Sequence, residues 1–226
     1  MAKNDFSAVS PDNYEQKCLC VLVLDVSGSM EGAPIKELNK GLQDFYKEIE
    51  DNPTTSQRLE VSLITFSHVV TTVQEPELVA NFSMPTLAAN GSTAMVDAVK
   101  EAIDKVAARK AWYKSTGQSY NRPWIILMTD GEPDSGQDVD GLANTIKADT
   151  AAKKYAFLPI GVEDANMDIL NQIASAQMPA MSLKGTKFGA FFNWLSASMG
   201  TIVTAEEGET VKLADPDEWM KVFTID

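Results

Sequence analysis

An α/β fold, with a mainly parallel central sheet, one antiparallel hairpin edge and helices on both faces, is predicted by three features of the 226-residue sequence. The run Cys18-Leu19-Cys20-Val21-Leu22-Val23-Leu24 is continuously apolar and stops at Asp25, as a strand buried on both faces does. A second such run, Trp124 to Thr129, stops at Asp130-Gly131. Between and beyond them lie segments of helical periodicity, and strands separated by helices of this length favour parallel pairing.

After the first strand, a Ser/Gly-rich turn and Pro34, at a tolerated first-turn position, lead into a helix with Ile35, Leu38, Leu42, Phe45 and Ile49 on one face. The runs Leu59 to Phe66 and Val69 to Gln74 are separated only by Ser67 and His68, a hairpin-length gap, so they should pair antiparallel at one side of the sheet. Beyond the loop 86–93, a helix carries Val96, Val99, Ile103 and Val106 and fades before the polar stretch 114–121. The remainder alternates again. A weaker helix over Val139 to Lys153 precedes a strand from Tyr155 to Ile160, a short helix from Met167 to Ala174 and a brief strand near Met181 to Leu183. Phe188, Phe191, Phe192, Leu195 and Met199 mark a final helix. The expected organisation is a lead-in over 1–17, one domain over 18–203, and an acidic extension over 204–226. Val211, Leu213, Trp219, Met220 and Phe223 should pack that extension on the domain.

Hydrophobic residues make up 44% of the chain, enough for one core burying about 70–75% of the unfolded surface. Acids outnumber bases by 32 to 19, a net charge of -13, so the basic footprint of a nucleic-acid binder is missing and cations are the favoured partners. Residues 1–13 lack the apolar run of a signal peptide, and no later stretch approaches the ~18 apolar residues of a membrane span. A cytoplasmic location without membrane contact is expected. Cys18 and Cys20, two apart on a strand, share a face and are badly placed to bridge, which makes them core thiols.

In open α/β sheets, ligands bind beyond the carboxyl ends of the strands, at a switch in strand order. Asp25 and Asp130 both end buried strands and would repel each other without a cation between them. Ser27, Ser29, Thr93 and Thr129 supply hydroxyls nearby, with Gly28 permitting the turn that lets Asp25, Ser27 and Ser29 converge. Two acids with neutral hydroxyls suit Mg²⁺, with Mn²⁺ or Ca²⁺ as alternatives, and should leave one coordination position open.

The three pieces Asp25-x-Ser27-x-Ser29, Thr93 in Gly-Ser-Thr and Asp130 in Thr-Asp-Gly, in this order and each at a strand or helix edge, resemble the metal-ion-dependent adhesion site of von Willebrand factor A domains. The resemblance covers about Cys18 to Thr204 and implies a Rossmann-like sheet with a metal on its upper edge. It implies that Ser27 and Ser29 coordinate directly, and that Thr93, Asp25 and Asp130 do so directly or through water. The open position would accept an Asp or Glu from a partner protein. The opening Asp25-Val26-Ser27-Gly28-Ser29-Met30-x-Gly32-x-Pro34-Ile35 and the ending Pro216-x-x-Trp219 look most like the tellurium-resistance-associated TerY/YegL-type proteins. That likeness implies a stress or metal-resistance role beside kinase and phosphatase partners.

Other chemistries fit less well. A metal-assisted phosphohydrolase could use the same ion, but a phosphoryl-accepting Asp25 wants a second carboxylate two residues on, where Ser27 stands. No phosphate-binding P-loop or G-x-G-x-x-G is present. The single histidine, His68, is expected on another part of the sheet as a surface residue, not as a catalytic base. Met30, like the other methionines, is expected to pack in the core or at the rim, and its place directly after Ser29 leaves contact with a partner as the alternative. Glu31, Glu132, Asp134 and Asp138 lie in loops beside the ion, either as a solvated acidic rim or as outer partners that strengthen cation capture or select a basic partner.

Overall fold

Strand β1 (Cys18–Asp25) is buried along its whole length and lies in the middle of a six-stranded sheet in the order β3-β2-β1-β4-β5-β6. The computed structural model describes residues 13–162, 165–183, 185, 187–205 and 213. The other strands are β2 (Leu59–Phe66), β3 (Val70–Leu78), β4 (Trp124–Thr129), β5 (Ala156–Val162) and β6 (Met181–Leu183). All neighbours pair in parallel except β2 and β3, which are antiparallel, as the short Ser67-His68 gap requires.

Among the described residues, six α-helices accompany the strands: α1 (Ala33–Glu50), α2 (Thr55–Arg58), α3 (Met95–Thr116), α4 (Val139–Ala151), α5 (Met167–Ile173) and α6 (Phe188–Thr204). Alternation along β1 divides the core. Cys18, Cys20, Leu22 and Leu24 face a cluster with α1 and α6, whereas Leu19, Val21 and Val23 face one with α3, α4 and α5. The first cluster is closed by α6 against α1 at Gly41. A methyl group there would come within 2.7 Å of the Phe192 ring, so glycine is what lets these helices approach. Phe45, Phe191 and Phe192 interlock around that contact.

Several boundaries differ from the sequence reading. α3 runs on to Thr116, where Gly117 at φ +72 ends it in a left-handed cap, so the polar residues from Lys114 to Thr116 are helical despite the fading apolar stripe. β3 extends to Leu78 through Pro76, which an edge strand tolerates, and a register shift near Leu63 keeps it paired. The four-residue α2 has no apolar periodicity to announce it. α6 continues past Met199, the last position its apolar spacing marks, to Thr204, and buries Ile202 and Val203 on the way. Of the extension 204–226, Leu213 packs on the first core cluster, while Val211, Trp219, Met220 and Phe223 lie outside the described residues.

Both cysteines are buried free thiols in the sheet. Burial pushes the Cys18 thiol up to about 12 from an ordinary 9.0 and raises Cys20 as well. Native protein should therefore resist a thiol reagent at pH 8 that modifies both groups after unfolding. The folded state holds these protons more tightly, so their contribution to stability is complete below pH 9 and is lost as pH rises from about 9 toward 12. Denaturant midpoints measured across that window should fall.

Candidate functional site

The site lies where the strand order switches, because β1 pairs with β2 on one side and β4 on the other and their connections leave the same edge in different directions. Leu24 pairs with Met128, which sets Asp25 level with Thr129 and one residue short of Asp130 at this edge. Asp25 is fully buried and Asp130 partly so.

Asp25 Oδ1 accepts the Ser27 backbone N–H at 2.8 Å, and Oδ2 accepts the hydroxyl of buried Thr129. The Ser29 hydroxyl donates to Asp130 Oδ1 at 2.8 Å and lies 3.0 Å from the Ser27 hydroxyl. Thr93 reaches the same space: a methyl placed on Gly131 would sit 3.5 Å from Thr93 Oγ1 and 3.9 Å from Asp25 Oδ2. The five residues Asp25, Ser27, Ser29, Thr93 and Asp130 thus converge from three loops.

Loss of hydration raises the Asp25 carboxyl above its ordinary range; hydrogen bonds from Ser27 and Thr129 pull it down, and Asp130 pushes it up again. Asp130 is also raised, chiefly by desolvation, against the pull of Ser29. Among the described residues, no ion pair engages either carboxylate, and no three His, Cys, Asp or Glu side chains gather as a metal-binding group. Two buried-edge carboxylates ringed by hydroxyls, with only oxygen donors, fit a hard divalent cation and offer little to a soft one.

The loops are built to hold this arrangement. Gly28 has an ordinary backbone, opening the short 3-10 turn Gly28–Met30, and its N–H donates to Gly91 O at 2.9 Å. The left-handed conformations fall instead at Gly32 (φ +93) and Gly91 (φ +78), correcting the role given to Gly28. Asp134 accepts from the Ser92 hydroxyl at 2.7 Å and the Thr93 N–H at 3.1 Å, and Gln137 ties Thr93 O to Val96 N. Asp134 is therefore a brace for Thr93, and Asp138 caps α4 through Gly141 N, so neither is simply a solvated rim acid. No periodicity or motif in the sequence marks these braces.

Two further placements differ. Met30 is fully buried in the core, because the 3-10 turn rotates it under the loop, and it presents nothing to a partner. His68 is exposed, but its ring lies against Gly91, where a methyl group would meet Nδ1 at 2.2 Å. The β2–β3 connection thus adjoins the Thr93 loop instead of lying elsewhere on the sheet.

The sequence profile of the von Willebrand factor type A domain matches residues 20–194. The protein sll0103 of Synechocystis sp. is 27% identical over 186 residues, covering 77% of this chain and 40% of its own. Among solved structures, the ArnB paralog VWA2 of Sulfolobus acidocaldarius superposes with a TM-score of 0.56 at 19% identity, over 81% of this chain and 45% of its own. The pilus adhesin SpaC of Lactobacillus rhamnosus GG gives 0.66 at 15%, over 83% and 31%. The vWF domain of the pili tip protein Mfa5 of Porphyromonas gingivalis gives 0.58 at 12%, over 87% and 98%. The chain spans less than half the length of sll0103, VWA2 and SpaC, and at these identities the solved structures speak for the fold. No helix among the described residues is long and apolar enough to cross a membrane.

Proposed function

The chain belongs to the von Willebrand factor type A domain family, and on that premise we propose that it is a non-enzymatic, divalent-cation-dependent protein-interaction module. The observation that carries this reading is the convergence of Asp25, Ser27, Ser29, Thr93 and Asp130 at one sheet edge. These residues would hold Mg²⁺, or Mn²⁺ or Ca²⁺ in its place. When bound, the cation supplies a positive Lewis-acidic centre able to accept a carboxylate oxygen from a partner's Asp or Glu.

The chain's own residues do the rest. Asp25 is fixed by Ser27 N–H and Thr129 Oγ1, so its orientation is set before any ligand arrives. Ser29 and Asp130, nearer solvent, form the face a partner would meet. Asp134 and Gln137 hold the Thr93 loop. Asp134→Ala should therefore weaken Mg²⁺ binding by about 10–100-fold, the range for a lost outer partner of a metal ligand, with no change in the ligands themselves. Calorimetry reads this directly.

A narrower reading places the module in a tellurium-resistance or stress system beside kinase and phosphatase components. Its support is the sequence likeness from Asp25 to Ile35 and the Pro216-x-x-Trp219 ending. Affinity capture on immobilised protein tests both levels, with Mg²⁺, with chelator, and with Asp25→Ala as bait. A partner retained only by Mg²⁺-loaded wild type supports the module, and its identity decides the narrower reading. Identical proteins in all three lanes would refute cation-dependent docking. Release of phosphate from an aryl phosphate, lost in Asp25→Ala, would replace the module with a phosphohydrolase.

A further inference from the structure

On the face where α3 passes the end of α4 and the start of β5, a half-open groove encloses about 440 Å³. Its floor is apolar, formed by Val106 and the buried ring of Tyr155, with the exposed small residues Ala107 and Ala111 keeping it open. Three lysines border it, Lys110, Lys114 and Lys154, in a chain whose net charge is -13. Asp149, the one acid in the lining among the described residues, is already engaged by Lys154 Nζ at 2.6 Å and the Tyr155 hydroxyl at 3.3 Å.

Lys110 donates one proton to Lys154 O at 2.9 Å, and neither Lys110 nor Lys114 forms an ion pair among the described residues. Burial lowers the Lys110 ammonium, and Lys114, Lys154 and Arg122 lower it further, so positive potential outweighs what Asp149 offsets. The volume lies within the ~300–1,000 Å³ typical of small-ligand sites, which likewise combine an apolar floor with a few polar groups. Lys110 stands fifteen positions after Met95, roughly 22 Å along α3 from the Thr93 end. The groove is thus separate from the carboxylate site.

We propose that this groove binds a small organic anion, its apolar body on Val106, Ala107, Ala111 and Tyr155 and its carboxylate, sulfonate or phosphate against Lys110 and Lys114. The probe is 1-anilinonaphthalene-8-sulfonate, titrated into the full chain by fluorescence, with amide shifts followed by two-dimensional NMR. The expected result is saturable binding of one equivalent, with shifts concentrated at 103–114 and 149–155 and unaffected by chelator. Lys110→Gln with Lys114→Gln should weaken it about tenfold, as loss of two partly exposed charge contacts implies. Ala111→Trp fills the groove from an exposed position without changing charge and should abolish the shifts. N-phenyl-1-naphthylamine, the same aromatic body without the sulfonate, should bind at least about tenfold more weakly. Equal affinity for the neutral probe, shifts centred elsewhere, or insensitivity to both variants would overturn the proposal. The chelator arm separates its failure from that of the metal site.

Discussion

Asp25→Asn is expected to weaken Mg²⁺ binding at least about 100-fold while leaving the metal-free protein as stable as wild type or more so. The first half follows from ligand charge. Removing one of two carboxylates from a hard-cation site costs more than the 10–100-fold typical of an outer partner. The second half follows from burial. Asp25 is fully buried, loss of hydration raises its carboxyl, and Asp130 adds repulsion. The folded state therefore holds the proton more tightly than the unfolded chain does. Without metal, that stabilisation is complete at acid pH and is lost as pH rises through the folded value. An asparagine keeps an oxygen for Ser27 N–H and leaves no charge to bury. Calorimetric titration with Mg²⁺ and thermal melts in chelator check the two halves. A variant with lower metal-free stability at pH 7 would show that Asp25 serves the fold before any ion.

The second large effect lies at the opposite end of the sheet. Glu60, 2% exposed at the start of β2, accepts Arg109 Nε at 2.7 Å and an Arg109 terminal nitrogen at 2.6 Å, together with the Tyr113 hydroxyl. Arg109 also stacks over the Trp112 ring, 4.1 Å from its centroid. Glu60→Ala leaves a guanidinium and a buried phenol without their acceptor, and should cost about 3–5 kcal/mol of stability, as breaking a buried pair on one side does. Tyr113→Phe removes one donor and keeps the ion pair, so it should cost only about 1–2 kcal/mol. Denaturant unfolding of both variants gives the comparison. Equal, small losses would mean that the pair contributes little beyond its burial cost. Because the cluster is far from Asp25, Mg²⁺ affinity of whichever variant folds should be unchanged.

The strand-ending aspartates were legible because each closes an apolar run whose length and continuity are set by burial on both faces. Helices α1 and α3 were legible for a similar reason, each pressing a repeating apolar stripe on the sheet. What escaped were contacts between loops distant in sequence. Asp134 braces Thr93 across 41 residues, and Gln137 does so across 44. A polar side chain in a loop carries no period that names its partner. Nothing in the sequence around Glu60 points to its partners, which lie 49 and 53 residues away on α3. Gly28 drew attention by composition, yet the backbone turns at Gly32 and Gly91, where only the three-dimensional path demands a positive φ.

The proposed function stands on a divalent cation held by Asp25, Ser27, Ser29, Thr93 and Asp130 with a position left for an outside carboxylate. Water-proton relaxation with Mn²⁺ tests it most directly, because relaxivity reports water on the bound ion. One Mn²⁺ per chain should bind with enhanced relaxivity, that enhancement should fall as a short aspartate-containing peptide is added, and Asp25→Asn should abolish it. Undiminished Mn²⁺ binding by Asp25→Asn would mean that the ion sits elsewhere, and relaxivity indifferent to the carboxylate peptide at saturating concentration would mean that it has no place for an outside carboxylate.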